Sequence, residues 1–432
     1  MSPERRAEAA APRRILAIWT RALDGVDNVG GVYIWRAVRG ALAPLGAVSQ
    51  ARLRNVFEHP RPAGLARAAW AFLLGLARGR PLPLQCAIFA AADGGRDILR
   101  QAGRSDVVYA DGIRTLLLLR RLRRARPDLR IVVDFQDLMS RRFDEVLAHG
   151  LPLPLGYVEA MVPPALRRML ATGLPARLLL RYERMALRHA EREMLRIADC
   201  VALVSPVEAA LLSATDARGA RRASVAAIPP PMPPAVAVPP APPHRAVFIG
   251  SDGLMQNRLT IDHLLGLWDR ARLAMPLVIY GRQKRPPRQV PGVVWAGYVR
   301  DLAEVYTPGS LLVSPTFLRG GIKTKVLEAF AHGVPVIGNP ATFEGMNLPD
   351  YPFCFADDAA LVRFLADPRP RAAEIAAATS AARSLVEREY GEALFRARWA
   401  AAMLGPARRE EGQVPQGADV APMPAELSSR AA

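Results

Sequence analysis

The sequence predicts an α/β protein of two doubly wound, Rossmann-like domains facing a cleft, and three observations carry that prediction. Short apolar runs alternate with helix-period segments along most of the chain. The alternation breaks once, at a proline-rich stretch, and then restarts. The length of 432 residues, about three times the commonest domain size, supplies material for two cores. A hydrophobic content of 51% against 23% charged residues excludes a disordered or collagen-like chain.

In chain order, residues 14–20 read as a first strand. The apolar run from Ile15 to Trp19 is too short for a signal-peptide core, and no stretch approaches the roughly 20 apolar residues of a membrane-spanning helix. Segments 30–42 and 47–53 continue the alternation. Segments 83–90, 106–109, 130–134 and 198–204 read as further strand-like runs, each followed by an amphipathic segment. Nine prolines between Pro229 and Pro243 exclude a helix or central strand and predict a semi-rigid extended connector. Beyond it the pattern resumes with 246–250, 257–271, 276–281, 292–295, 310–314, 323–332 and 334–337. Residues 374–404 read as long closing helices. The expected domains are 1–228 and 245–380, joined by a linker at 229–244 and followed by a closing helix at 381–405 and a disordered tail at 406–432.

The formal charge is +18, and 55 of the 58 basic residues are arginine. The first 235 residues hold +15 of that excess, which places an anion-seeking surface on the first half, although genome composition and a plain solvated face also explain arginine enrichment. Without a recognisable binding module or stacking platform, charge alone does not make a nucleic-acid binder. Cys86, Cys200 and Cys354 lie far apart with no CxxC spacing, so no disulfide framework is expected and the compartment reads as reducing. None of the six histidines pairs with another at metal-ligand spacing, so no metal site is expected; no cofactor is expected beyond a co-substrate.

The most informative stretch is Gly320 to Gly345, GGIKTKVLEAFAHGVPVIGNPATFEG. A strand ending near Pro315, a glycine pair and a helix starting near Lys323 present free backbone N–H groups and the positive end of the helix dipole to an anion. Lys325, one of three lysines, lies in the first helical turn, where a cation opposes the dipole unless it neutralises a bound phosphate. Glu328, at i+3, is placed to accept hydrogen bonds from ribose hydroxyls; the alternative is a solvated Lys325–Glu328 ion pair.

That stretch closely resembles the donor-binding signature of retaining glycosyltransferases of the GT-B fold, in glycosyltransferase family 4 (glycosyl transferases group 1). FIGSDGLMQNRLTIDHLL (248–265), VIYGRQ (278–283), WAGYVRDLAEVY (295–306) and LLVSPTF (311–317) follow in the family's order, and DVVYADGIRT, VVDFQDLMSRRF and CVALVSPVEAALL resemble parts of its first domain. The resemblance implies a metal-independent hexosyltransferase that moves a sugar from a nucleoside diphosphate donor to a hydroxyl acceptor with retention. It implies that Lys325 contacts the diphosphate, Glu328 the ribose, and Gly320, Gly321 and Ile322 the sugar and phosphate through backbone N–H groups, with Lys323, Gly250, Ser251 and Arg258 also on the donor side. Two departures stand out. Many members carry a sugar-contacting glutamate where this chain has Gly320, and an arginine often follows the first strand's glycine where this chain has Ser251. Arg258 then either reaches the phosphates or decorates a helix surface.

On the acceptor side, Gly30 and Gly31 follow the first strand, as a lining of the acceptor entry or as a plain turn. Asp111 positions acceptor or sugar, or caps the next helix. Asp134 and Asp137 lack Asp-x-Asp spacing and read as loop and capping carboxylates, while Ser205 and Glu208 form a capping box. The expected setting is bacterial surface polysaccharide or glycolipid synthesis: a cytoplasmic protein, peripheral on the inner membrane face, using a lipid-linked or saccharide acceptor. The anionic membrane surface would be met by the first domain, with Arg120, Arg121, Arg123, Arg124 and Arg126 as the candidate patch. The competing functions are a non-catalytic sugar-nucleotide-binding subunit and a nucleotide-sugar epimerase of the same fold.

Overall fold

The computed structural model describes residues 13–21, 30–58, 61–90, 95–152, 173–215, 223–285 and 287–405, with backbone only at 30–32. The reading of a tail at 406–432 lies outside them. In order, the elements of the first half are β1 (Arg14–Trp19), α1 (Gly30–Leu42), β2 (Ala47–Arg52), α2 (Pro62–Ala77), α3 (Leu84–Ala87), α4 (Gly95–Ala102), β3 (Val107–Asp111), α5 (Leu116–Ala125), β4 (Arg130–Gln136), α6 (Met139–Ala148), α7 (Gly173–Ile197), β5 (Cys200–Leu203), α8 (Pro206–Ala214) and β6 (Ser224–Ala227). Its strands form one parallel sheet in the order β2-β1-β3-β4-β5-β6, with Ile15 in register with Val48 and Val107.

The second half contributes β7 (Arg245–Ile249), α9 (Met255–Ala271), β8 (Leu277–Tyr280), β9 (Val293–Gly297), β10 (Ser310–Val313), α10 (Thr324–Ala331), β11 (Val336–Ile337), α11 (Asp358–Ala366), α12 (Ala372–Glu389) and α13 (Glu392–Leu404). Its five strands make a second parallel sheet, β11-β10-β7-β8-β9. Two parallel sheets with flanking helices agree with the expected doubly wound class.

Helices cover both faces of the first sheet, which explains the continuous apolar strands. Leu16 and Ile18 point into one core with Val108, Ile131 and Val201, while Ile15, Ala17 and Trp19 point into another with Tyr109 and Val132. That second core is completed by Phe395, Trp399, Ala402 and Met403 of α13, so the C-terminal helix returns to the first domain, where Arg130 also donates to the Ala402 carbonyl at 2.7 Å. The preceding α12 packs instead into the core of the second sheet, with Val247 and Leu312, through Ile375, Ala382 and Val386. The break between them falls at Tyr390–Gly391, ten residues later than the sequence suggested for the start of a closing helix.

The proline connector runs without regular structure from Ile228 to His244. It is pinned rather than free: Met232 N–H donates to Tyr390 O, Val238 N–H to His332 O, and Tyr33 Oη to Pro231 O.

The expected strand at 83–90 is a correction. These residues form the single helical turn of α3, and Cys86 and Ala87 N–H donate to Pro83 O at 2.9 Å. A short apolar run does not distinguish a buried turn from a buried strand, and β1 already has a neighbour on each side. Three arginines of the expected patch are bonded within the protein. Arg120 pairs with Glu193, Arg126 with Asp128, and Arg123 is only 10% exposed, bonded to Asp199 and to the carbonyls of Ile197, Pro127 and Leu129. Arg121 and Arg124 remain exposed. Among the described residues no helix is long and apolar enough to cross a membrane.

Candidate active site

The site forms where the carboxyl ends of the two parallel sheets meet. β7 ends at Ile249, and Gly250 turns the chain toward α9. A Cβ on Gly250 would lie 2.7 Å from Cγ of Asn257, so the glycine makes room for that side chain. Asn257 Nδ2 donates to Ser251 O, and its Oδ1 accepts from Lys325 Nζ at 2.8 Å. Lys325, half-buried in the first turn of α10, has its ammonium 4.2 Å from the Phe248 ring centroid. Burial pushes the Lys325 ammonium down to about 7, against which Glu328 acts to raise it. Its hydrogen-bond partner is a neutral amide, so the solvated Lys325–Glu328 ion pair does not describe this site.

Burial raises the Glu328 carboxyl above its ordinary range, and Lys325 partly offsets the shift. Across the cleft, Tyr33 of α1 is pushed up to about 12, first by burial and then by the Glu328 carboxylate. Tyr306 supports the helix from below, its hydroxyl donating to Lys325 O at 3.2 Å. Gly30 and Gly31 are the first two residues of α1, not a turn before it.

The glycine loop is held by carboxylates. Gly320 and Gly321 have φ of 105° and 63°, which an L side chain resists. Arg319 N–H donates to Glu145, Gly320 N–H to Glu344 at 3.4 Å, and Gly321 N–H to Glu208 at 3.2 Å. Glu145 and Glu208 belong to the first domain, so two of these three bonds cross the cleft. Arg141 pairs with Glu344 at 2.8 Å across the same gap. Lys323, at the N-cap of α10, turns its ammonium back to the carbonyls of Gly320 and Leu318. Ile322 is buried behind the loop.

Glu208 does more than the sequence assigned to it. Ser205 Oγ caps α8 by accepting from Glu208 N–H at 3.5 Å, but the Glu208 carboxylate goes to Gly321 and Leu138 N–H groups. Its Oε1 lies 2.9 Å from where a Cβ at position 320 would stand. Burial, with help from Asp137, pushes it up to about 6.

Asp111 is not a helix cap: it ends β3, buried, and accepts from Thr20 N–H at 3.1 Å and Thr20 Oγ1 at 2.7 Å, tying β1 to β3. Asp134 is a strand residue rather than a loop carboxylate, bonded to Tyr109 Oη and pushed up to about 7 by burial. Asp137 pairs with Arg142 at 2.7 Å and faces Gly321. Ser251 Oγ accepts from Gly253 N–H, and exposed Arg258 donates to Asp252 O at the start of α9. Asn257, Phe248, Glu145 and Glu344 escaped the sequence reading because their roles depend on partners 68 to 203 positions away, or on none visible in spacing. Among the described residues no three His, Cys, Asp or Glu side chains gather as a metal site.

Residues 243–365 match the family model of glycosyl transferases group 1. No curated protein sequence matches. Among solved structures, the chain is similar to Anabaena Alr3699/HepE in complex with UDP, at 12% identity over 90% of this chain and 98% of that one, with a TM-score of 0.55. It is similar to sucrose-phosphate synthase from Thermosynechococcus elongatus, at 16% identity over 89% and 97%, TM-score 0.53. It is also similar to the lipopolysaccharide outer core galactosyltransferase WaaB, at 13% identity over 90% and 98%, TM-score 0.52. At these identities the likeness to solved structures is one of fold. Residues 243–365 thus carry the match to glycosyl transferases group 1, and the chain as a whole has the GT-B fold of two Rossmann-like domains.

Proposed function

We propose that this chain transfers a sugar from a nucleoside diphosphate donor to a hydroxyl acceptor, with retention and without a metal ion. The observation that carries the reading is Lys325: a partly desolvated ammonium at a helix start, bonded to an amide and facing the interdomain cleft. An ammonium there stabilises the charge that grows on a departing diphosphate, the work a metal ion does elsewhere. In this reading Glu328 holds the ribose, and Arg258 at the start of α9 stands on the phosphate side. The bond from the anomeric carbon to the diphosphate breaks as the acceptor oxygen bonds on the same face. The acceptor proton passes to a diphosphate oxygen. The complexes of Anabaena Alr3699/HepE with UDP and with UDP-glucose support a nucleoside diphosphate donor. The acceptor is a lipid-linked saccharide met at the inner face of the cell membrane, in surface polysaccharide or glycolipid synthesis, and the first domain's charge supports that reading.

A second reading, donor binding without transfer, draws on Gly320 and on the loop N–H groups already engaged by Glu344 and Glu208. Thermal unfolding with a panel of nucleoside diphosphate sugars tests both. A true donor at 100 times its dissociation constant adds about 2.7 kcal/mol. Transfer to a lipid-extract acceptor, unaffected by chelator, completes the first reading; stabilisation without transfer selects the second, and no stabilisation by any donor overturns both.

A further inference from the structure

We infer that the outer faces of α2 and α7 form an interfacial docking surface for an anionic lipid bilayer, a reading that rests on the proposed lipid-linked acceptor. The helix α2, PAGLARAAWAFLLGLA, is built inside out. Its small residues Gly64, Ala68, Ala71 and Gly75 face the domain, and a Cβ on Gly75 would stand 2.8 Å from Arg80 O and 3.3 Å from Leu82 Cβ. Its large residues face out: Trp70 is 65% exposed and Leu73 57%, with Leu65 and Leu76 also exposed. At 100° per residue these four share one face spanning about 140°. A helix that turns its Leu and Trp side chains to solvent and its glycines to the core has its apolar partner outside the domain.

The neighbouring helix extends the face. The Phe72 and Tyr182 rings meet at 5.4 Å, which sets α2 beside α7. One and two turns before Tyr182, at i−4 and i−8, Leu178 and Leu174 are exposed, Leu174 at 68%. In a parallel α/β layer the connecting helices run antiparallel to the strands, and α2 follows β2 while α7 leads into β5, so Leu65 and Leu174, at the helix starts, lie toward the strands' carboxyl ends.

The charge around this face selects the occupant. Arg67, Arg78 and Arg80 on α2 and the turn after it, and Arg177 and Arg181 on α7, are exposed. No acidic residue occurs between Glu58 and Asp93 or between Glu159 and Glu183. A second copy of the chain would bring these arginines against one another, whereas anionic headgroups complement them while Trp70 and the leucines enter the acyl boundary. The sequence pointed to α5 for membrane contact; Arg121 and Arg124 there are exposed, but Leu116, Leu118, Leu119 and Leu122 are buried, so the surface that is both basic and apolar is the one on α2 and α7.

The test uses the full chain, vesicles of phosphatidylglycerol with phosphatidylethanolamine, and vesicles of phosphatidylcholine alone. The wild type should sediment with the former only and be released by salt. Brominated acyl chains should quench its fluorescence, and Trp70→Phe should remove that quenching while sedimentation persists. Trp70→Ser/Leu73→Ser/Leu174→Ser should lower vesicle partition by about tenfold or more, with unchanged stabilisation by nucleotide sugar. Because Lys325, Glu328 and Arg258 all lie outside α2 and α7, absence of nucleotide-sugar stabilisation in the wild type would sink the transferase reading and leave the docking result standing. Unaltered vesicle binding by the triple variant, binding indifferent to headgroup charge, or a wild-type dimer that the triple substitution dissociates would each overturn the surface proposed here.

Discussion

At the scale of single residues, the proposed site turns on the protonation of Lys325. Its ammonium rests on an aromatic face and one amide oxygen, so burial depresses it to about 7 in the free protein. A bound diphosphate favours the charged form, and donor binding above pH 7 should therefore take up a proton and weaken as pH rises. Calorimetry at pH 8 in buffers of different ionisation enthalpy should give heats that differ by close to one proton; identical heats would sink the assignment. Lys325→Ala should lower turnover by about 10²- to 10³-fold with the circular dichroism spectrum retained. Glu328→Ala should mainly weaken donor binding, by roughly 1.5–3 kcal/mol for a charge-assisted hydrogen bond. Lys325 and Glu328 were legible in the sequence because their spacing on one helix is local. Asn257, which holds the ammonium, was not, since nothing in its own segment distinguishes a surface asparagine from one facing another helix.

At the scale of elements, the strand-to-helix turns decide whether these groups meet. The glycines of the loop before α10 were legible as a special turn, but the reason differs between them and Gly250. Gly320 and Gly321 are needed for their positive φ, while Gly250 is needed for its missing Cβ. Gly250→Ala should displace Asn257 and release Lys325, so donor affinity should fall about tenfold, roughly the worth of one hydrogen bond to a charged group, with the fold kept. Gly321→Ala meets both a φ of 63° and a contact of 2.6 Å with Asp137 Oδ1. It should cost about 1–3 kcal/mol of stability in urea unfolding; a neutral change would mean the loop adopts another conformation in solution. The turn α3 was misread as a strand because four to eight apolar residues carry no period long enough to separate the two, and the bonds to Pro83 O that settle it are invisible in composition.

At the scale of the whole molecule, the first domain carries a set of buried carboxyls that favours acid. Burial raises Asp134, Glu183 and Glu191 to about 7 and Glu208 to about 6, all above their ordinary values near 4. The native state therefore holds more protons than the unfolded state from about pH 4.5 to 7, and this contribution to stability is lost as pH rises through that window. Urea midpoints for the first domain should be higher at pH 5.5 than at 7.5, and Glu191→Gln should flatten the dependence; a midpoint that rises with pH would contradict it. The return of α13 to the first domain makes the two halves interdependent. Removing residues 392–405 strips Phe395, Trp399 and Met403 from the first domain's core around Ile15, Trp19 and Tyr109 and should cost more than about 5 kcal/mol.

What the sequence determined by itself is what lies within one or two turns of chain. It set the alternation of strands and helices, the break at the prolines, and the placing of Lys325 and Glu328 on one face behind two glycines. The tertiary structure alone decided which groups those residues meet. Glu208 reaches Gly321 from 113 positions away, α13 completes a core begun at Ile15, and the leucines of α2 face outward although their composition reads as buried. Periodicity reports which residues share a face, because that depends on local backbone geometry. What covers the face depends on contacts between distant segments, and those are fixed only when the sheets and helices assemble.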